Sequence, residues 1–197
     1  MPSLKSRKKL EKAGIRQVYV ERRVAGAHFV CVDNRLGGEK VAGLFHEKGR
    51  KRIAVIADPQ SAIKGMASYE RLEGFKKLLA KRKIRLLPEN IVFAKYHTIE
   101  DGRSAFERLE KRLGQIDAVF SVAGDLCAIG FMLEAKSNGI NVPEDIAIAG
   151  YDDIEMAAAV EPALTTVRQP IDGMGAMAVE LAHMALTDKL KKPVNNV

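Results

Sequence analysis

Residues 118–170 read AVFSVAGDLCAIGFMLEAKSNGINVPEDIAIAGYDDIEMAAAVEPALTTVRQP, and the order of apolar and polar runs in them decides the fold. The run Ala118-Val119-Phe120-Ser121-Val122 stops at Ala123-Gly124-Asp125. A helical pattern follows (Leu126, Ile129, Phe131, Leu133) and closes at Ser137-Asn138-Gly139. Asn141-Val142-Pro143-Glu144-Asp145 turns the chain into a second apolar run, Ile146-Ala147-Ile148-Ala149, which ends at Gly150-Tyr151-Asp152-Asp153. A third extended segment, Leu164-Thr165-Thr166-Val167-Arg168, closes at Gln169-Pro170. Short strands without a polar face are buried on both sides, and two of them joined by a helix make a parallel βαβ unit. Open α/β sheets take ligands where the strands end, at the carboxyl edge. The pattern therefore predicts a binding edge bearing Asp125, Asp152 and Gln169.

The same alternation extends upstream. Arg52-Ile53-Ala54-Val55-Ile56 reads as a buried strand ended by Asp58-Pro59. A helix over 68–80 follows, with Phe75, Leu78 and Leu79 at helical spacing. Ile91-Val92-Phe93-Ala94 is the next strand, ending at Lys95-Tyr96-His97, and a helix over 100–113 leads through Gln115-Ile116-Asp117 to Ala118. Before these come a strand at Val18-Tyr19-Val20, a strand over 29–32 and a helix over 36–48, which Asp33 or Asn34 is able to cap. Strand and helix alternate from residue 35 to residue 150 without a low-complexity linker, the pattern of a doubly wound parallel sheet. After Pro170 a helix over 174–186 places Met174, Met177, Leu181 and Met184 on one face, which reads as core.

Composition bounds the remaining choices. The 197 residues are 47% hydrophobic and 29% charged, ordinary for a globular protein and enough for a sizeable core. The net charge of +7 points to an acidic partner or to nonspecific attraction and says nothing of fold. Residues 4–13 hold five basic side chains, Lys5, Arg7, Lys8, Lys9 and Lys12; the helix stop at Gly14 favours a solvated helical face over a nucleic-acid arm. Cys31 and Cys127 lack both CxxC spacing and a disulfide framework, as expected of reduced cytosolic thiols. No apolar stretch approaches the ~20 residues of a membrane helix, and no export signal opens the chain. A cytoplasmic protein is expected.

Four stretches together resemble one family. They are Val119-Phe120 with Gly124-Asp125 and Gly130; Val142-Pro143-Glu144-Asp145-Ile146; Gly150-Tyr151-Asp152-Asp153; and Pro162-Ala163-Leu164-Thr165-Thr166-Val167-Arg168-Gln169-Pro170. In this order and spacing they are similar to the ligand-binding domain of the LacI/GalR family of bacterial transcription regulators, over residues 14–186. Arg71-Leu72-Glu73-Gly74-Phe75 matches the family's Arg-Leu-x-Gly-aromatic element. The resemblance implies a periplasmic-binding-protein-like α/β fold with two Rossmann-like parallel-sheet lobes. Residues 1–32 and 168–197 would belong to the N-terminal lobe and residues 33–167 to the C-terminal lobe. It departs from the family at both ends. No helix-turn-helix precedes the domain, about half of the N-terminal lobe is lacking, and so is the last strand after Asn195, so the chain is expected to be a fragment.

From spacing alone Arg71 suits either a bidentate ligand contact or a structural salt bridge. The resemblance favours the ligand, and it implies a binding set of Arg71, Asp152, His97, Asp33, Gln169 and Gly124 in the cleft of the family's domain. Family members often carry asparagine at the position of Gly124, and their aromatic platform falls at His97, beside Tyr96. The helix after Asp125 is apolar nearly all round, and a helix apolar on every side needs cover on its outer face too. With the resemblance, this predicts a homodimer through Phe131, Met132 and Met156, unless loops of the same chain cover that helix.

Competing motifs are weak. Gly173-Met174-Gly175-Ala176-Met177-Ala178 fits G-x-G-x-x-A, but only 19 residues follow Ala178, too few for the strand that should end in an acidic residue. His28, His46, His97 and His183 show no metal spacing. Asp152-Asp153-Ile154-Glu155 has oxygens for a cation, yet one inward Asp152 with solvated neighbours is the simpler reading. No catalytic residue, metal or cofactor is expected. The leading reading is an effector-sensing and dimerisation domain that takes a sugar-like or nucleoside-like molecule and would meet DNA only through a helix-turn-helix it lacks. The alternatives are the solute-binding protein of a sugar transporter, which an export signal would mark, and a Rossmann-type enzyme, which nucleotide binding would mark.

Overall fold

A computed structural model describes residues 4–187 and 195–196. The chain divides into two units, residues 34–169 and residues 1–33 with 170–197. In the first unit the buried runs become four parallel strands, β3 (Ile53–Ala57), β4 (Ile91–Phe93), β5 (Ala118–Ser121) and β6 (Ala147–Ala149), in the order β4-β3-β5-β6. Residues alternate between the two faces of the sheet. Ile53, Val55, Ala57 and Phe120 join one core with Val41, Phe45, Leu72 and Phe75, while Ala54, Ile56 and Val119 join another with Phe106, Ile129 and Phe131. Burial on both faces explains why these strands carry no polar side. The expected doubly wound α/β fold is present.

Glycines set how closely the covering helices pack. The helices α2 (Asn34–Glu47) and α3 (Ala67–Lys81) lie on one face, α4 (Ile99–Leu109) and α5 (Asp125–Ser137) on the other. A Cβ on Gly38 would fall 2.0 Å from the Arg71 carbonyl, and one on Gly74 2.0 Å from that of Arg35. On the opposite face Gly130 would strike Ile99 O at 1.9 Å and Gly102 would strike Cys127 O at 2.2 Å. Each pair of helices therefore touches backbone to backbone.

That contact corrects the expected dimer surface. Phe131 (0% exposed) and Met132 (1%) are core residues. The outer side of α5 is covered by α4, with Phe131 edge-on to Phe106 at 5.4 Å between ring centroids. The cover over Phe131 and Met132 comes from their own chain, while Leu133 of the same helix stays exposed. In α6 (Glu155–Ala159) Ala157 is buried while Met156 stays exposed. The third extended segment forms isolated bridges, Ala149 to Thr165 and Asp152 to Arg168, rather than a regular strand.

The other unit holds α1 (Leu4–Lys12) and a parallel sheet in which β2 (His28–Val30) lies between β1 (Val18–Val20) and β7 (Asn195–Asn196). The strand expected to be lacking after Asn195 is thus present as a two-residue pairing. Arg7 donates to the carbonyls of Ala25 and Gly26 and to Glu11, so this member of the basic run is a structural brace. The final helix, α7 (Ile171–Leu186), buries Met174, Leu181 and Ala185 beside Val30, with Ala178 partly buried; Met177 lies off that stripe. Gly173 and Gly175 sit inside this helix rather than in a strand-to-helix turn, which leaves no phosphate loop there. Ile171, Val179 and Leu186 are exposed.

Candidate ligand-binding site

The strand order places a switch point in unit 34–169. The chain runs from β3 outward to β4, then crosses back to β5 and continues to β6, so the connections after β3 and β5 leave in opposite directions. Ligands of open α/β sheets bind outside the carboxyl ends at such a point. Two chain segments meet there, Asp58 after β3 and Ala123-Gly124-Asp125 after β5.

Arg71, in the second turn of α3, projects into this edge and is only 7% exposed. Its Nε donates to Asn34 Oδ1 at 2.9 Å and its Nη1 to the Val122 carbonyl at 3.3 Å. Nη2 lies 3.6 Å from Asp152 Oδ1, and the guanidinium stacks 3.7 Å above the Tyr151 ring. Tyr151 in turn packs where a Cβ on Gly37 would be, 2.2 Å from its hydroxyl oxygen. The fork is therefore fixed in plane and direction before any ligand arrives, as a planar guanidinium allows and a lysine does not.

Asp152 is half-buried and sits at φ 115, a conformation L-residues rarely adopt. The strained backbone is held by Asp152 N donating to Val167 O at 2.9 Å. Its Oδ1 accepts from Gln169 Nε2 at 2.6 Å, while the buried Gln169 Oε1 has no partner among the described residues. Gly124 faces the same carboxylate. At φ 101 a side chain there would be strained, and its Cβ would come 2.8 Å from Asp152 Oδ2. Glycine at this position makes room for Asp152.

His97 lies along the edge at φ 59, with Nδ1 3.0 Å from Ala123 O and Nε2 3.5 Å from Asp58 Oδ2. Asp101 fixes this loop: its carboxylate accepts from the backbone N–H groups of Lys95, Tyr96 and Thr98 and from the Thr98 hydroxyl. Partial burial raises the Asp101 carboxyl, but those donors outweigh it and bring the pKa down to about 2. Tyr96 points away and is largely exposed, with the Lys95 ammonium over its ring.

Two expectations need correction or placement. Asp125, read as part of the binding edge, is 1% exposed and fully engaged: Oδ1 accepts from Thr166 Oγ1 at 2.6 Å and Oδ2 from Ile154 N at 3.0 Å. Burial raises its pKa, against the pull of those donors. It is a brace that ties α5 to the 154–166 segment, and Gly150 leaves space for it. Asp33 belongs to the other unit and is exposed. The structure thus gathers Arg71, Asp152, Gln169, Gly124 and His97 along one edge. Sequence reading missed Asn34, Asp58, Tyr151 and Asp101. A strand ending at Asp58, another ending at Gly150-Tyr151 and the capping-box spacing Thr98-x-x-Asp101 are the signals for three of these; nothing local points to the contact of Asn34 with Arg71.

A parallel sheet with fixed polar side chains around its switch point defines an open α/β module of the doubly wound class. The chain belongs to the periplasmic binding protein-like domain family, which matches residues 42–197, and within it to the effector-binding domains of LacI/GalR-type regulators. It is 33% identical over 192 residues to the HTH-type transcriptional regulator CelR of Thermobifida fusca, covering 95% of this chain and 55% of that protein. It is 32% identical over 163 residues to the HTH-type transcriptional repressor PurR of Escherichia fergusonii, covering 82% and 46%. A solved structure of a transcriptional regulator CelR–cellobiose complex superposes with a TM-score of 0.88 at 31% identity, over 98% of this chain and 58% of that one. The chain spans about half the length of the curated relatives it matches. These relatives are transcriptional regulators, which supports effector sensing over transport. Among the described residues no helix is long and apolar enough to cross a membrane.

Proposed function

We propose that this chain senses a small polyhydroxylated effector, of saccharide type, on behalf of a transcriptional regulator. The observation that carries the reading is the Arg71–Asp152 pair, a fixed donor fork 3.6 Å from a carboxylate at the switch point. Adjacent hydroxyls both donate and accept, so a diol is matched by a guanidinium beside a carboxylate. Gln169 Oε1 adds an open acceptor and His97 a ring face or ring nitrogen. Gly124 contributes space rather than a contact. The cellobiose held by the CelR relative supports a saccharide. No residue here is assigned a catalytic role, and no metal or cofactor enters the reading. DNA reading is assigned to a helix-turn-helix outside these residues, and pairing of two copies to the exposed Leu133 and Met156.

The test is a thermal-shift and calorimetric screen of cellobiose, other saccharides, nucleosides and purine bases. A ligand at a hundred times its Kd adds about 2.7 kcal/mol to stability by mass action, a shift well within reach of the assay. A saccharide is expected to stabilise the wild type, and Arg71→Lys and Asp152→Asn to abolish that gain. Stabilisation by a nucleoside or purine base alone would replace the saccharide. No shift with any of them would overturn the sensing role.

A further inference from the structure

The edge of the sheet opposite the ligand site carries a strongly basic surface that the sensing function does not use. Strands begin there and helices end there, so residues 50–52 before β3, residues 81–85 after α3 and residues 111–115 after α4 converge on it. Two cavities open side by side. One, of about 420 Å³, is walled by Lys51, Arg52, Lys83, Arg85 and Gln115, with Ile53, Ile84 and Leu87 beneath. The other, of about 440 Å³, is lined by Leu79, Ala80, Ile84, Leu86, Pro88 and Ile91, with Lys76 and Arg85 at its rim. Ile84 and Arg85 are common to both.

The charges in the first cavity are only partly cancelled. Arg52 pairs with Asp117 at 3.2 Å, and Arg112 nearby with Glu89 at 3.4 Å. Lys51, Lys83 and Arg85 show no ion pair among the described residues. A helix C-terminus attracts cations, which accounts for Lys81 and Arg82 at the end of α3. It does not account for Lys51, which comes from another element, nor for the backbone of Lys83. Lys83 occupies the left-handed position just past the helix, φ 59, where Ile84 N closes back on Leu79 O at 2.9 Å. Glycine is the residue this position favours. Lysine there is strained locally, and strain of this kind clusters where a side chain is used.

We propose that this basic pole is a second ligand site, for an organic polyphosphate with an apolar or aromatic body, the chemistry of a nucleoside polyphosphate. Lys51, Lys83 and Arg85 hold the phosphoryl oxygens through charge-assisted hydrogen bonds, beside the Arg52–Asp117 pair, and the body lies in the adjoining apolar cavity. Both cavities fall within the ~300–1,000 Å³ usual for small-molecule sites. The concave shape suits a small ligand better than a nucleic-acid strand.

The test titrates the full chain by calorimetry with sodium tripolyphosphate, with a nucleoside triphosphate and with duplex DNA, at fixed ionic strength. The variants are Lys83→Gly and Arg85→Gln. Saturable tripolyphosphate binding is expected, weakened about tenfold or more in each variant, since each removes a charge-assisted hydrogen bond. The nucleoside triphosphate is expected to bind more tightly than tripolyphosphate. Lys83→Gly is expected to leave the Tm of the free protein equal or raised, which separates use of the side chain from support of the fold. The proposal is overturned by equal affinity in wild type and variants, by a lowered Tm for Lys83→Gly, or by duplex DNA binding tighter than either phosphate.

Discussion

Replacing Arg71 with methionine keeps the length of the side chain and removes its charge and donors. Asn34 Oδ1 and the Val122 carbonyl each lose a donor, and Asp152 loses its cationic neighbour. Acceptors deprived of a donor in a buried place cost about 1–3 kcal/mol each. The stack on Tyr151 adds about 1–2 kcal/mol for a desolvated cation over a ring. Against this, a buried charge no longer has to be desolvated, and breaking one half of a buried pair typically nets ~3–5 kcal/mol. A loss of about 3 kcal/mol is expected, which at an m-value of ~2 kcal/mol/M moves the urea midpoint down by about 1.5 M. Arg71→Lys keeps the charge and should lose less stability while still losing ligand. The assay is urea unfolding followed by far-UV circular dichroism at pH 7. A midpoint for Arg71→Met within 0.5 M (about 1 kcal/mol) of wild type would show that water replaces those bonds, and the fixed fork on which the site rests would be wrong.

Other outcomes follow from the same geometry. Gly130→Ala puts a Cβ 1.9 Å from the Ile99 carbonyl and should destabilise by more than about 3 kcal/mol, whereas Gly114→Ala meets nothing within 4 Å and should stay within about 0.5 kcal/mol of wild type; thermal unfolding compares them. Asp101 has a folded pKa of about 2, below its ordinary 3.8, so the stability it adds is present above pH 4 and is lost as the pH falls toward 2. The shift corresponds to about 2 kcal/mol, and to about 1 kcal/mol after screening at this largely solvated carboxylate. In Asp101→Asn the stability difference from wild type should shrink over that pH range; a difference constant from pH 7 to pH 2.5 would remove Asp101 as the support of the His97 loop. Met156→Asp should lower the association state in sedimentation with Tm within about 2 °C of wild type, while Phe131→Asp, aimed at the core, should prevent folding instead.

Much of this architecture is legible because fully buried parallel strands leave a plain mark. Ile53–Ala57 and Ala118–Ser121 carry no polar face, and the observed strands begin and end within about two residues of the expected ones. The carboxyl edge follows from them, since the residue that stops each run must lie where the strand stops. What the local pattern does not hold is partnership. Arg71 finds Asn34 at a separation of 37 residues and Val122 at 51, and nothing in the periodicity of α3 announces either. The wrong assignment of Phe131 has the same origin. Apolar residues round α5 say that most of it is covered, and the covering helix is marked by the glycines at 102 and 130, whose meaning depends on the backbone of Cys127 and of Ile99 that each meets in space. Asp125 was misplaced because a carboxylate at a strand end looks the same whether it faces a ligand or braces a loop.

The distribution of backbone strain carries the reading of the site one step further. Among the described residues of unit 34–169, four non-glycine residues adopt positive φ: Lys83, His97, Asp152 and Asp153. Three of them lie on the carboxyl edge, and each left-handed residue costs on the order of 1 kcal/mol. Such conformations persist where the surroundings over-determine them. At His97 the surroundings are the four donors gathered by Asp101; at Asp152 they are Val167 O and the Gln169 amide; at Asp153 they are Thr166 Oγ1 and Arg168. None of these supports is a group that a ligand would supply. The edge is therefore shaped by the fold alone, and the free energy of a ligand binding to it does not go into ordering these side chains.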